Sequence, residues 1–256
     1  MENAIEVGSF YYQNLWEGLN LSIEKNKLVA ISGPNNCGKT TLMRILNREI
    51  IVESDIKIEN RPINEYRVAD YAKLVECVIP LEKIPLEKTI EEEMFFKNDN
   101  TKEVEWVIKG LKIKKIKSKL ISELNTQEFI YYQLATAIIS FPKILLLDSL
   151  GSYLTEKEVI DILQFLKEVQ EKKEMTVIHT TIHLKETLYC DYLYILDEKK
   201  VALKGLPLEI LEKDNIINKI GLNLPFMVDL SVKLRDYDLI ENIELDQDRM
   251  IEELWK

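Results

Sequence analysis

The chain is poor in cysteine and in long apolar runs and has no net positive charge, and each lack closes off a class of protein. Among its 256 residues the cysteines are three, Cys37, Cys77 and Cys190. An odd number without a CxxC spacing suits neither a disulfide framework nor a zinc site, so free thiols are expected. No stretch approaches the roughly 18 consecutive apolar residues that a bilayer span needs. The opening, MENAIEVGSF, lacks the basic segment and apolar run of a secretory signal, and the chain is expected to stay in the cytosol. A formal charge of -10 at pH 7 argues against binding to nucleic acid, whose phosphates demand clustered Lys and Arg. Internal repeats and low-complexity segments are lacking too.

What is present is a globular composition, 46% hydrophobic and 30% charged, in a chain long enough for one large domain with appendages. Short β-rich segments, AIEV, LNLSI and KLVAIS, lead into a glycine loop and then TTLMRIL, whose Leu42, Ile45 and Leu46 share a helical face. A strand is expected over KLVECVI, 73–79. From 85 to about 141 the pattern is helical, ending in QEFIYYQLATAIISF with Ile130, Leu134, Ala137, Ile138 and Phe141 on one stripe. Strands and helices then alternate: KILLLD, a helix from about 156 to 172, MTVIHT, a short helix near 184, and the pair YLYIL and KKVALKG. The expected fold class is α/β, a mostly parallel sheet covered on both faces, with an antiparallel β segment. An inserted helical subdomain at about 81–141 is expected within a domain spanning 1–204, followed by a small helical extension over 205–256.

The glycine loop, GPNNCGKTT from Gly33 to Thr41, fits G-x-x-x-x-G-K-[ST] between a strand and a helix, the context that gives this pattern its meaning. Gly33 and Gly38 let the backbone wrap, so that N–H groups of Asn35, Asn36, Cys37, Lys39, Thr40 and Thr41 converge on phosphate oxygens. Lys39 is expected to reach the β and γ phosphates and the Thr40 hydroxyl to ligate Mg²⁺, while the helix N-terminus adds its dipole. ILLLD, 144–148, ends an apolar strand in Asp148, a carboxylate placed for the same metal. A GTPase would carry Asn-Lys-x-Asp, and the NKLV at 26–29 lacks the aspartate. A small-molecule kinase would want lid arginines, and none stands between Arg67 and Arg235.

From GPNNCGKTT through ELNTQ and FPKILLLD to TVIHTTIHLKET, the order and spacing resemble the ATP-binding subunits of ABC transporters. GLPLEIL at 205–211, GLNLPFMVDLSVKL at 221–234 and TIEEEMFF at 89–96 narrow the resemblance to the energy-coupling factor ATPases of vitamin and cobalt or nickel importers. The resemblance implies a P-loop ATPase core with ATP and Mg²⁺ as cofactors. It also implies a second ATPase subunit facing head to tail, an integral membrane coupling protein as further partner, and a peripheral place on the cytoplasmic face of the cell membrane. By the same resemblance Tyr12, or Tyr11, stacks on adenine.

The sequence departs from that pattern where the γ-phosphate is handled. Ser149 stands at the family's catalytic glutamate and Ile182 at its switch histidine, with His183 adjacent and expected to turn to the other face. Pro80 replaces the glutamine that senses the membrane partner, and Thr155 replaces an aspartate. The family's Leu-Ser-Gly-Gly-Gln falls on LNTQE, Leu124 to Glu128, where Asn125 and Glu128 have capping-box spacing and close the helix on itself. Binding of MgATP with weak or absent hydrolysis is therefore expected, in a heterodimer, since two copies would place LNTQE over both sites. An active ATPase using His183 or partner groups, and a soluble non-transport relative, are the alternatives. His179 is expected to be structural, KIKKIKSK at 112–119 a solvated face, and the acids of IEEE at 90–93 an answer to a helix dipole.

Overall fold

The computed structural model describes residues 2–79 and 86–255. Two sheets organise them. In the first, β1 (Asn3–Tyr12), β2 (Trp16–Glu24), β4 (Ile56–Ile58) and β5 (Arg61–Pro62) pair antiparallel in the order β2-β1-β4-β5. The second contains β3 (Leu28–Ser32), β6 (Val75–Val78), β7 (Ile144–Asp148), β8 (Thr176–Thr181), β9 (Tyr192–Asp197) and β10 (Lys200–Gly205), ordered β10-β9-β3-β8-β7-β6. All its pairings are parallel except the hairpin of β9 and β10. The α/β class read from the alternating pattern is the class observed.

The parallel strands are apolar at consecutive positions because both faces are covered. Val29, Ile31, Ile144, Leu146 and Ile178 face a core shared with the antiparallel sheet and with α1 (Lys39–Leu46). Leu28, Ala30, Leu145, Leu147 and Val177 face a second core. That core is built with α3 (Ile90–Lys97), α4 (Thr101–Gly110), α5 (Thr126–Ile139) and α6 (Glu156–Lys173). The short α2 (Val68–Leu74) leads into β6, and α7 (Leu184–Thr187) follows β8.

The single stripe expected on α5 is not what forms. Phe129, Ala135, Thr136 and Ile139 are buried along with Ile130, Leu134, Ala137 and Ile138, because the helix packs against α3, α4 and β6 at once. Phe141 lies beyond the Ser140 cap with φ 45°, half-buried outside the helix. After Gly205 the chain forms α8 (Pro207–Leu211), α9 (Asp214–Ile220), α10 (Phe226–Asp236) and α11 (Gln247–Leu254). Ile210, Leu211, Ile217, Val228 and Val232 join the second core. Lysines of 112–119 are largely tied down locally: Lys112 to Asp161, Lys117 to Glu91 and Lys119 to Glu128. In α3, Glu92 completes a capping box with Thr89, a more specific task than facing the dipole.

A candidate phosphate-binding site

The strand order β3-β8-β7 brings three carboxyl ends together, with Ser32 beside Thr181 and Thr180 beside Asp148. In a parallel α/β sheet that is where ligands bind. The loop leaving β3 runs through Gly33 (φ 152°), Asn36 (φ 64°) and Gly38 (φ 104°) before α1 begins. A side chain is excluded at both glycines by sterics as well as torsion. A Cβ on Gly33 would lie 2.3 Å from the Leu196 carbonyl oxygen, and one on Gly38 would lie 2.5 Å from the Trp16 ring. Trp16 is fully buried, and its indole N–H donates to the Cys37 carbonyl at 3.2 Å, holding the loop from below.

No side chain caps α1 and no acid stands in its first turn. Its opening N–H groups, which have no acceptor within the helix, are left for an anion. Lys39, 8% exposed, donates to the carbonyls of Gly33 (2.7 Å) and Pro34 (2.9 Å), so its ammonium is held over the loop. Burial pushes the Cys37 thiol above its ordinary pKa, partly opposed by Lys39, so the loop gains no thiolate where phosphate would dock. Asn35, Asn36, Gly38, Lys39, Thr40 and Thr41 line a cleft of about 600 Å³ together with Ser149, Gly151, Ser152, Thr181, Ile182 and His183.

Asp148 is 3% exposed, and its Oδ1 accepts the Thr180 hydroxyl at 2.6 Å and the Ser149 hydroxyl at 3.2 Å. Ser149 adopts φ 53°, and its N–H reaches the Thr180 side-chain and carbonyl oxygens at 3.0 and 3.2 Å. The hydroxyl at this position therefore turns back onto the aspartate. The donor set fits a nucleotide with a divalent cation: free helix N–H groups and an ammonium for phosphate, and the Thr40 hydroxyl and Asp148 carboxylate as hard oxygen ligands.

Other expected residues fall elsewhere. Tyr11 is 70% exposed, and Tyr12 packs with ring centroids 5.9 Å from both Phe10 and Trp16. Neither lines the cleft, where Leu15 stands instead. His183 was expected to face away; it lines the cleft beside Ile182, because β8 ends at Thr181 and the strand's alternation does not extend to it. His179 is buried against Glu186. Asn125 accepts from the Glu128 N–H at 2.9 Å and Glu128 accepts from the Asn125 N–H at 3.0 Å, closing the N-terminus of α5. Thr155 caps α6 in the same way with Glu158. Pro80 lies outside the described residues. Sequence reasoning missed Trp16 beneath Gly38 and the Thr180 hydroxyl on Asp148, contacts between residues far apart in the chain.

A glycine loop between a parallel strand and an uncapped helix, with an aspartate ending a neighbouring strand, defines a P-loop nucleotide-binding cassette. Residues 16–150, more than half of the chain, match the family model for the ABC transporter, and the chain belongs to that family, whose cassettes bind ATP, generally with Mg²⁺. It is 28% identical over 251 residues to the energy-coupling factor transporter ATP-binding protein EcfA1 of Bacillus subtilis, covering 93% of this chain and 89% of the relative. To the EcfA protein of Pediococcus pentosaceus it is 24% identical over 273 residues, covering 100% and 97%. The solved structure of cbiO1 from Clostridium perfringens, part of the ABC transporter complex cbiONQ, superposes with a TM-score of 0.73 at 23% identity. That match covers 92% of this chain and 100% of cbiO1.

Proposed function

We propose that the chain is the ATP-binding subunit of an energy-coupling factor type importer, one that binds MgATP and hydrolyses it slowly or not at all. Gly33 to Thr41 would hold the phosphates and Thr40 and Asp148 the Mg²⁺, which would supply neutralisation of the phosphate charge. The observation that carries the reading is a contrast between two helix ends. The N-terminus of α1 is uncapped and open to phosphate, whereas that of α5, where the family pattern offers N–H groups to a partner's nucleotide, is closed by Asn125 and Glu128.

Two copies of this chain would close both composite sites in that way, so a second, different ATPase subunit is the partner. The pair couples closure around nucleotide to an integral membrane protein, from the cytoplasmic face of the membrane. No helix among the described residues is long and apolar enough to cross a membrane, so that coupling requires a membrane-spanning partner. Residues 1–204, with the helical subdomain at about 81–141, form the nucleotide-binding domain and 205–256 its extension.

Ser149 offers no carboxylate to orient a water, and its hydroxyl is engaged with Asp148. Losing one positioned acid/base group costs about 10² to 10⁴ in rate. A single-turnover experiment on the reconstituted pair, with the pair in excess over MgATP and the partner's own loop lysine removed, tests this. Saturable binding with ATP recovered intact over many minutes supports the reading, and rapid stoichiometric ADP formation contradicts it.

A further inference from the structure

At the amino ends of β3 and β9, the end of the parallel sheet away from the phosphate loop, lies a hollow of about 460 Å³ that shares no residue with the nucleotide cleft. Its size is that of a small-molecule site, roughly 300–1,000 Å³. Tyr192 and Tyr194 stand two apart on β9 and so share a face, with ring centroids 5.1 Å apart and planes at 54°. Tyr194 is 3% exposed, and its hydroxyl donates to the Ser22 carbonyl of β2, which braces one sheet on the other. Lys204 lies opposite Tyr194 in the register of β10 on β9 and therefore belongs to the same face.

Charge singles the hollow out. The chain carries 44 acidic residues against 34 basic ones, and lysines elsewhere, such as Lys25, Lys117 and Lys199, are ion-paired. Lys27 and Lys204 both line the hollow, and among the described residues neither ammonium has an ion pair or a hydrogen bond. Asp191, which also lines it, is already engaged: Oδ2 accepts the Leu28 N–H at 2.8 Å, and Oδ1 takes Lys167. Glu24 is then the lining acid without an ion pair, and the hollow keeps one positive charge in excess.

We propose that this hollow is a second ligand site, one that takes a small planar aromatic acid, its ring against Tyr192 and Tyr194 and its carboxylate met by Lys27 and Lys204. Aromatic side chains at the wall favour a flat ring, and unpaired ammoniums in a hollow partly shielded from water favour an anion. An inorganic anion would leave the rings unused, and a neutral ring would leave the lysines unused. Leu206, 53% exposed, lines the hollow where the chain leaves β10 for α8. An occupant therefore touches both the cassette and the start of the C-terminal helices.

The test uses the full chain and indole-3-acetate as probe, with binding followed by calorimetry and by saturation-transfer NMR. A molecule of that size is expected to bind with a Kd of about 1 mM. Indole, which lacks the acid, and acetate, which lacks the ring, should each bind about tenfold more weakly, a comparison that needs no substitution. Lys27→Met combined with Lys204→Met should weaken the probe about tenfold. Lys204 is exposed and Lys27 half-buried, and an unchanged melting temperature without ligand checks that the variant is folded. Lys39→Ala should bind the probe as the unmodified chain does, so this proposal and the nucleotide reading fail separately. Absence of saturable binding, equal affinity in the lysine variant, binding of indole or acetate as tight as the probe's, or displacement of the probe by MgATP each overturns the proposal.

Discussion

Replacing Thr180 by valine removes the hydroxyl on which the candidate metal site depends. Thr180 is fully buried and Asp148 is 3% exposed, and the bond between the threonine hydroxyl and Asp148 Oδ1 is 2.6 Å. Valine has the same shape, so no cavity opens, and the Ser149 N–H retains the residue-180 carbonyl at 3.2 Å. What is lost is the hydrogen bond to a buried carboxylate, which contributes about 1.5–3 kcal/mol, together with the 3.0 Å contact from the Ser149 N–H to the same hydroxyl. At about 2–4 °C per kcal/mol for a chain of this size, a loss of about 2 kcal/mol lowers the melting temperature by about 4–8 °C. Urea unfolding followed by tryptophan fluorescence gives the free energy directly, and a scanning melt gives the temperature. Thr180→Ser, which keeps a hydroxyl, should retain most of the stability. Adding MgATP should narrow the gap between Thr180→Val and the unmodified chain, since a cation at Asp148 gives the carboxylate another partner. A valine variant as stable as the original without nucleotide would refute the claim that Asp148 is held by this hydroxyl.

Asn125→Ala should destabilise the protein by about 1 kcal/mol, the usual worth of a helix N-cap, with MgATP affinity at Lys39 unchanged; denaturant unfolding and calorimetry check the two halves. Ser149→Glu combined with Ile182→His should raise phosphate release at this chain's own loop once a partner ATPase with an intact signature covers it. Either substitution alone should recover little, because groups that act as a unit are not additive. Steady-state phosphate release from the pair, with the partner's own loop lysine removed, is the measurement.

Much of this molecule is local, and what is local was readable. The glycine loop, the alternation of strand and helix after Lys143 and the capping spacing of Asn125 and Glu128 each depend on residues within a few positions of one another, and each appears as read. The α5 helix was misread because a one-sided stripe assumes one neighbour, and three elements surround it. Thr180 meets Asp148 through the register of β8 on β7, Trp16 reaches Gly38 from another sheet, and Glu186 borders Gly151 across the strand-end loops. No periodicity encodes such meetings. His183 was misjudged for a related reason: alternation predicts the facing of a side chain only while the strand lasts, and β8 stops at Thr181.

Binding of MgATP at the loop from Gly33 to Thr41 through Lys39 is put to the test by a thermal melt of the chain with and without Lys39→Ala. At a hundredfold excess over the dissociation constant, binding to the folded state alone adds about 2.7 kcal/mol of stability. An upward shift of about 5–11 °C with MgATP is expected for the unmodified chain, and loss of most of that shift in Lys39→Ala. An equal shift in both proteins would contradict it.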